Sequence, residues 1–366
     1  MEKKINCLDL KGQHQQIKKE VFEAFEKVYE KTAFSGGPFV EEFEKAFSTF
    51  CNVKHTIGVS NGTTALHLAM LALGIGAGDE VIIPANTFIA TAWGVSHAGA
   101  TPVYVDCTAD TWEIDITKIE EKITPKTKAI IGVHLYGQPF DIDAVAAICK
   151  KHNLKFIEDA AQAQGAYYKN KPIGSFGEMA CFSFYPGKNL GACGEAGGIT
   201  TNSDEYTKHL HSLRNHGSMV RYYHDEIGYN YRMGGLEAAS LSIKLKYLND
   251  WNNRRRAIAK RYQSEVKNPK IKMQAQPTWA DSVYHLFVVT TDNKEKFVKH
   301  LDSKNINAAY HYPVPCHLQK AYAHLGYKKG DFPNSEYLAE NCVSLPMYAE
   351  LTDAEVSHVI EALNSY

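Results

Sequence analysis

The sequence predicts an α/β fold, with a large domain on a mostly parallel sheet and a smaller α+β domain after it. Three observations predict this. Short apolar runs alternate with helical patterns between residues 55 and 200, and strands separated by helices run parallel because each helix returns the chain across the sheet. Residues 236–265, "LEAASLSIKLKYLNDWNNRRRAIAKRYQSE", read as one long helix able to link domains. The remainder holds a strand, a helix, a proline-rich loop and a C-terminal helix, which suits a compact α+β unit. The expected division is 1–245 and 246–366, and 366 residues suffice for two ordinary domains.

The elements follow in order. "QIKKEVFEAFEKVYEKTAF" repeats apolar residues at helical spacing (Ile17, Val21, Phe22, Phe25, Val28). "SGGP" breaks it, and "FVEEFEKAFSTFC" resumes a helix. "HTIGVSNGTTALHLAMLALG" gives a strand, a glycine-bearing turn and an apolar helix ending near Gly74. "DEVIIPANTFIATAWGVSHAGA" repeats that logic, with a strand at Val81–Ile83 and a turn at Pro84. "TPVYVD" is a buried strand, "TKAIIGVHLYGQ" a strand and loop, and "DIDAVAAICKKHN" a helix. "LKFIEDAAQAQGA" is a strand ending in an acidic turn. "EMACFSFYPGKN" runs from a strand into a loop, and "GGITTN" is a further strand. In such sheets the chemistry lies outside the carboxyl ends of the strands.

Bulk properties exclude several classes. A net charge of −1 gives no general attraction to nucleic acid or a membrane surface. No apolar run is long enough to span a bilayer, and "MEKKINCLDLKGQHQQIKKE" lacks the apolar stretch of a secretory signal. The eight cysteines stand singly, with no CxxC pair, so the expectation is a reduced cytoplasmic protein without disulfide framework or zinc knuckle. His134, His216, His311 and His317 are too dispersed to argue for a metal set.

The strand ends together offer Asp159, Lys188, a small-residue turn at Ser60–Thr64, and Phe88. A pyridoxal phosphate site needs these types: a lysine for the Schiff base, an acid at the pyridine nitrogen, a cradle of N–H groups at a helix start, and an aromatic against the ring. Lysine is usually a solvated surface charge. Here Lys188 lies in "SFYPGKNLGACGEAGG", with five glycines around it and an apolar strand before it. Small neighbours leave room for an adduct, and partial desolvation favours the neutral, nucleophilic amine. Asp159 could equally cap a helix; beside such a lysine it is better read as the partner of a pyridinium. Glu158 faces the other side of an extended chain and has no such role. Gly62, Thr63 and Thr64 alone would be an ordinary helix start; with Ser183 they form a candidate phosphate cradle, although no GxxxxGK[ST] pattern is present. Phe88 taken alone would be core.

These residues resemble the DegT/DnrJ/StrS family of fold-type I, pyridoxal-phosphate-dependent (aspartate aminotransferase-like) sugar aminotransferases. The resemblance runs through "SGGPFVEEFE", "VSNGTTALHLAM", "DEVIIPANTFIATA", "HLYGQPFDID", "IEDAAQAQGA", "FSFYPGKNLGACGEAGGI", "LRNHG", "GYNYRMGGLEAA" and "SLPMYAELTD". It implies that Lys188 binds the cofactor and shuttles the proton, Asp159 pairs with the ring nitrogen, and Gln162 lies on the ring-hydroxyl side. It implies that Phe88 stacks on the ring and that Gly62, Thr63 and Ser183 hold the phosphate. Asn230 matches a residue lent across a dimer interface to the neighbouring phosphate, so a homodimer with shared sites is implied. Tyr185, His311 and Tyr312 match positions near the sugar or nucleotide. The family often has histidine where this chain has Gln164; relatives with histidine in place of the lysine are dehydratases, and Lys188 is retained. The implied reaction moves an amino group from L-glutamate to C3 of a dTDP-linked 3-keto-6-deoxyhexose. A C4 aminotransferase on a UDP- or dTDP-sugar, a sugar dehydratase and a non-catalytic regulatory protein are the alternatives.

Overall fold

The computed structural model describes residues 4–366; the first three residues of the N-terminal stretch that lacks a secretory apolar run lie outside it. Two helices lead in, α1 (Leu10–Glu30) and α2 (Pro38–Cys51). Asp9 accepts a hydrogen bond from the Lys11 N–H at the start of α1. Pro38 opens α2, where a missing N–H costs nothing.

Among the described residues, seven strands form the main sheet: β1 (His55–Val59), β2 (Glu80–Pro84), β3 (Thr101–Val105), β4 (Thr127–Val133), β5 (Lys155–Asp159), β6 (Met179–Ser183) and β7 (Gly197–Thr201). Their spatial order is β1-β7-β6-β5-β4-β2-β3. β3, β2, β4, β5 and β6 pair in parallel, and β7 runs antiparallel to both its neighbours. The exception makes geometric sense. β6 reaches β7 through a loop without a crossover helix, so the chain returns in the opposite direction. Helices α3 (Gly62–Ala72), α4 (Ile89–His97) and α5 (Ile142–His152) make crossovers, and α6 (Asp204–Arg214) follows β7. Asn61 and Thr64 form a reciprocal capping box that sets where α3 begins. Apolar clusters lie on both faces of the sheet, which is why its strands read as near-continuous Val/Ile runs. One includes four packed phenylalanines, Phe43, Phe47, Phe182 and Phe184.

The long helix expected over 236–265 is two helices, α7 (Gly235–Leu245) and α8 (Leu248–Glu265), separated at Lys246–Tyr247. Leu241 on α7 and Leu248 at the start of α8 both enter the core under the main sheet, and further along α8 Ile258, Ala259 and Tyr262 enter a second core near the C-terminus. At the break the Tyr247 hydroxyl donates to Glu20 of α1, which ties the chain to its first helix there. No proline or glycine marks the site, so the sequence pattern runs through it.

The second core packs α8 with α9 (Lys294–Ser303), α11 (Asp353–Asn364) and a small antiparallel sheet of β8 (Lys272–Met273), β9 (Phe287–Thr290) and β10 (Cys342–Leu345). Ile5 joins this core and bridges to Ile306. Helix α10 (Pro333–Asn341) and β10 leave no separate signals in the sequence pattern; β10 starts at Cys342, directly after the last residue of α10, with no turn residues between. No helix among the described residues is long and apolar enough to cross a membrane.

Candidate active site

The carboxyl ends of β1, β5 and β6 and the start of β7 meet at one edge, because β7 pairs Gly197 with both Val59 and Ser183. Asp159 is the last residue of β5 and lies beside Cys181 of β6. Its carboxylate is buried, accepting from the Thr91 hydroxyl at 2.7 Å and from the Ala161 N–H at 3.1 Å. Burial raises its pKa, against the opposing pull of those two donors, Lys188 and His134. The carboxylate is thus held in place and short of positive charge. Glu158 faces the other way, where it accepts from the Gly174 and Phe176 N–H groups and lies 3.0 Å from His134 Nε2. Alternation along the strand therefore separates a structural acid from one that faces the site.

Lys188 sits half-buried in a tight loop after β6. Its N–H donates to the Tyr185 carbonyl at 2.8 Å, and Ala192 N–H donates to the Phe184 carbonyl at 2.8 Å. Asn189 is tied through Nδ2 to Asn252 Oδ1 and to the Val283 carbonyl. The Gly191 carbonyl accepts from Lys244 Nζ at 2.6 Å, and Lys244 is fully buried. Gln164, standing where the family often has histidine, donates to the Ser183 carbonyl at 2.6 Å. These bonds fix the backbone on both sides of Lys188 and leave its side chain free of structural duty. One sequence-level reason changes here. Gly191 is small because a Cβ would come within 2.3 Å of the Pro186 carbonyl, so chain-on-chain packing rather than ligand space demands that glycine.

Burial lowers the Lys188 pKa to about 8, with Asp159 acting the other way. The amine is therefore protonated below about 8 and nucleophilic above it. In cofactor-free protein, acetylation of Lys188 followed by mass spectrometry is expected to rise between pH 7 and 9 and then level. Surface lysines continue to gain reactivity up to their ordinary pKa of about 10.4. Lys188 titrating with the surface lysines would contradict the assignment.

Gly62 and Thr63 open α3 directly against Ser183. A Cβ at Gly62 would lie 2.7 Å from the Ser183 Cβ. A helix start with its first N–H groups beside a serine is an anion cradle. Gly62→Ala is expected to weaken retention of a phosphate-bearing ligand by roughly ten-fold or more, one to two hydrogen bonds' worth. Equilibrium dialysis checks this; unchanged retention would remove Gly62 from the cradle.

Gln162 is buried, its Oε1 accepting from the Tyr136 N–H at 2.6 Å. Its Nε2 donates to the Tyr312 hydroxyl at 3.0 Å, which leaves a second amide hydrogen for a ligand. Phe88 is 47% exposed, with its ring 5.2 Å from that of Tyr312. His311 Nδ1 lies 2.8 Å from the Ser344 hydroxyl. Burial and then Lys188 lower the His311 pKa to about 4. The chain thus gathers Asp159, Gln162, Lys188, Phe88, His311 and Tyr312. Tyr185 is exposed on the Lys188 loop, and Asn230 is exposed on a segment beside Asn215, apart from this group. Sequence reasoning missed Thr91, Tyr136, Asn189 and Lys244. Thr91 had a signal, three residues after Phe88 on the same helix start; the others depend on long-range packing.

A family model described as the DegT/DnrJ/EryC1/StrS aminotransferase family matches residues 15–364. The chain belongs to this family. A dTDP-3-amino-3,6-dideoxy-alpha-D-galactopyranose transaminase from Aneurinibacillus thermoaerophilus is 48% identical, over 99% of each chain. The erythromycin biosynthesis sensory transduction protein EryC1 of Saccharopolyspora erythraea is 42% identical, over 98% of each. The crystal structure of S. venezuelae DesV in complex with a ketimine intermediate is similar at a TM-score of 0.98 and 40% identity, covering 99% of this chain and 98% of that one. As a DegT/DnrJ/EryC1/StrS family member, the chain is a pyridoxal-phosphate-dependent sugar aminotransferase of the α/β, fold-type I class. The geometry fits that cofactor: a buried acid short of cationic partners, a half-buried amine with lowered pKa, and a helix-start cradle that a single methyl would fill.

Proposed function

We propose that this aminotransferase moves an amino group from L-glutamate to C3 of a dTDP-linked 3-keto-6-deoxyhexose, giving a dTDP-3-amino-3,6-dideoxyhexose. The observation that carries the reading is Lys188, half-buried with its pKa lowered to about 8, beside Asp159. The relative named for a dTDP-3-amino-3,6-dideoxy sugar supports the substrate class. The regulatory name of EryC1 favours the non-catalytic alternative, but Lys188, Asp159 and the Gly62 turn are all present here.

In the proposed mechanism Gly62, Thr63 and Ser183 would hold the phosphate, Phe88 would lie against the ring, and Gln162 has a free amide hydrogen that it would offer to the ring hydroxyl. When bound, pyridoxal phosphate supplies an electron-accepting ring that stabilises charge at the carbon losing its proton. Asp159 would keep a proton on the ring nitrogen, and that cation would answer the charge its buried carboxylate lacks. Lys188 Nζ would take the proton from the donor's α-carbon and pass it to the cofactor side, where the amino group would be kept while water releases 2-oxoglutarate. With the keto sugar it works in the opposite sense, so one group near neutral pKa serves as base and acid. Tyr185, His311 and Tyr312 line the sugar side. His311 is neutral at working pH and can accept or donate without adding charge.

The dimer is part of the proposal. Asn230 is exposed, and Met219, Val220, Tyr222, Tyr223 and Ile227 just before it are large exposed apolar residues that a partner surface would cover. A division at 245/246 is supported by the second core that α8 feeds, and the eight unpaired cysteines support a reducing, cytoplasmic setting. The test is incubation with pyridoxal phosphate, L-glutamate and a panel of keto sugars, with products read by mass spectrometry and NMR. A nitrogen on C3 of a dTDP-sugar is expected. Nitrogen on C4 selects the alternative aminotransferase, and loss of water without nitrogen gain selects the dehydratase.

A further inference from the structure

The segment Tyr229–Asn230–Tyr231 is extended and pinned by its backbone. Tyr229 N–H donates to the Leu213 carbonyl at 2.7 Å, and Tyr231 N–H to the Arg214 carbonyl at 3.0 Å. The Tyr231 carbonyl accepts from the Ser60 N–H at 2.9 Å, which ties the segment to the turn that opens α3. Tyr229 and Tyr231 stack on each other at 5.0 Å and 20°, on the same side of the chain. Side chains alternate along an extended chain, so Asn230 projects oppositely.

The residue beneath the tyrosine pair is His67, in the middle of α3. It is 4% exposed, with its ring 4.9 Å from that of Tyr229 and 6.0 Å from that of Tyr231. Its other ring neighbour is His97 of α4, at 5.7 Å. Nε2 is buried without a partner, and Nδ1 reaches the Tyr231 hydroxyl only at 3.5 Å. The ring's shape, rather than a strong bond, is what the tyrosines rest on. Burial, then His97, lowers its pKa to about 4, so it packs as a neutral plate.

We propose that His67 is a positioning residue: its ring seats Tyr229 and Tyr231 so that Asn230 is aimed at the phosphate of the neighbouring protomer. This rests on the proposed dimer with shared sites. Helix α3 then serves two sites at once, with Gly62 and Thr63 at its start holding one phosphate and His67, further along, orienting the asparagine that serves the other.

The test reads cofactor retention, by absorbance after dialysis against buffer, rather than turnover. Asn230→Ala is expected to weaken retention roughly ten-fold, one hydrogen bond to a charged group. His67→Ala is expected to match it, and the double variant to be no weaker than Asn230→Ala alone, because both remove the same contact. His67→Phe, which keeps a flat ring, is expected to restore retention. A general loss of folding would lower the melting temperature without this pattern. Should His67→Ala fail to fold, Tyr229→Leu carries the same expectation. If Asn230→Ala leaves retention unchanged, the shared-site reading itself falls. If Asn230→Ala weakens retention while His67→Ala and Tyr229→Leu do not, or if the losses add, the role assigned to His67 is overturned.

Discussion

Lys188→Ala is expected to lose turnover by roughly 10⁴-fold or more, the scale on which removal of a covalent nucleophile acts. The fold should survive. Among the described residues the Lys188 side chain donates no structural hydrogen bond, and its loop is held by Tyr185, Asn189, Gly191 and Ala192 through their own partners. Circular dichroism and melting should therefore match the unmodified protein, while steady-state amino transfer disappears. Amino transfer within about ten-fold of the parent would be incompatible with Lys188 as base and acid.

Asp159→Asn should be the next most damaging change, lowering kcat by roughly 10² to 10³-fold through loss of one fixed charge at the reacting ring. An asparagine keeps one acceptor for the Ala161 N–H, and its amide nitrogen can donate to the Thr91 hydroxyl, which then turns its proton to Thr87, so the site keeps its shape and loses its charge. The glutamate half-reaction, followed by stopped-flow absorbance, reports this without the sugar. An unchanged rate would mean that the buried carboxylate is a helix-turn cap after all, the role that Asp159 shares with many strand-end aspartates.

The contrast between Glu158 and Asp159 shows what was legible in the chain. Both acids follow the same apolar strand, and period-two alternation alone assigned one to each face; the structure gives Glu158 to His134, Gly174 and Phe176, and Asp159 to the site edge. Strands with continuous Val/Ile character and the capped start of α3 were readable for the same reason: the signal is local. The break at Lys246–Tyr247 was not, because no turn residue marks it and the bond from Tyr247 to Glu20 that sits there spans 227 positions of sequence. The reversal of β7 follows from the loop that joins it to β6 without a crossover helix, a signal present in the chain that the expectation of a mostly parallel sheet does not use. Gln162 and Tyr312 meet across 150 positions of sequence, and Lys244 meets Gly191 only because α7 lies under the Lys188 loop. Such contacts leave no periodic trace. The glycines around Lys188 were noticed for their smallness, yet at Gly191 the cause is a neighbouring carbonyl.

The most direct measurement is chemical. Protein saturated with pyridoxal phosphate is reduced with borohydride, digested and sequenced by mass spectrometry. A single pyridoxyl group on the peptide carrying Lys188 is the predicted result. A fully loaded sample in which Lys188 emerges unmodified, or in which another lysine such as Lys244 carries the group, would contradict the assignment of this loop as the place where the cofactor is covalently held.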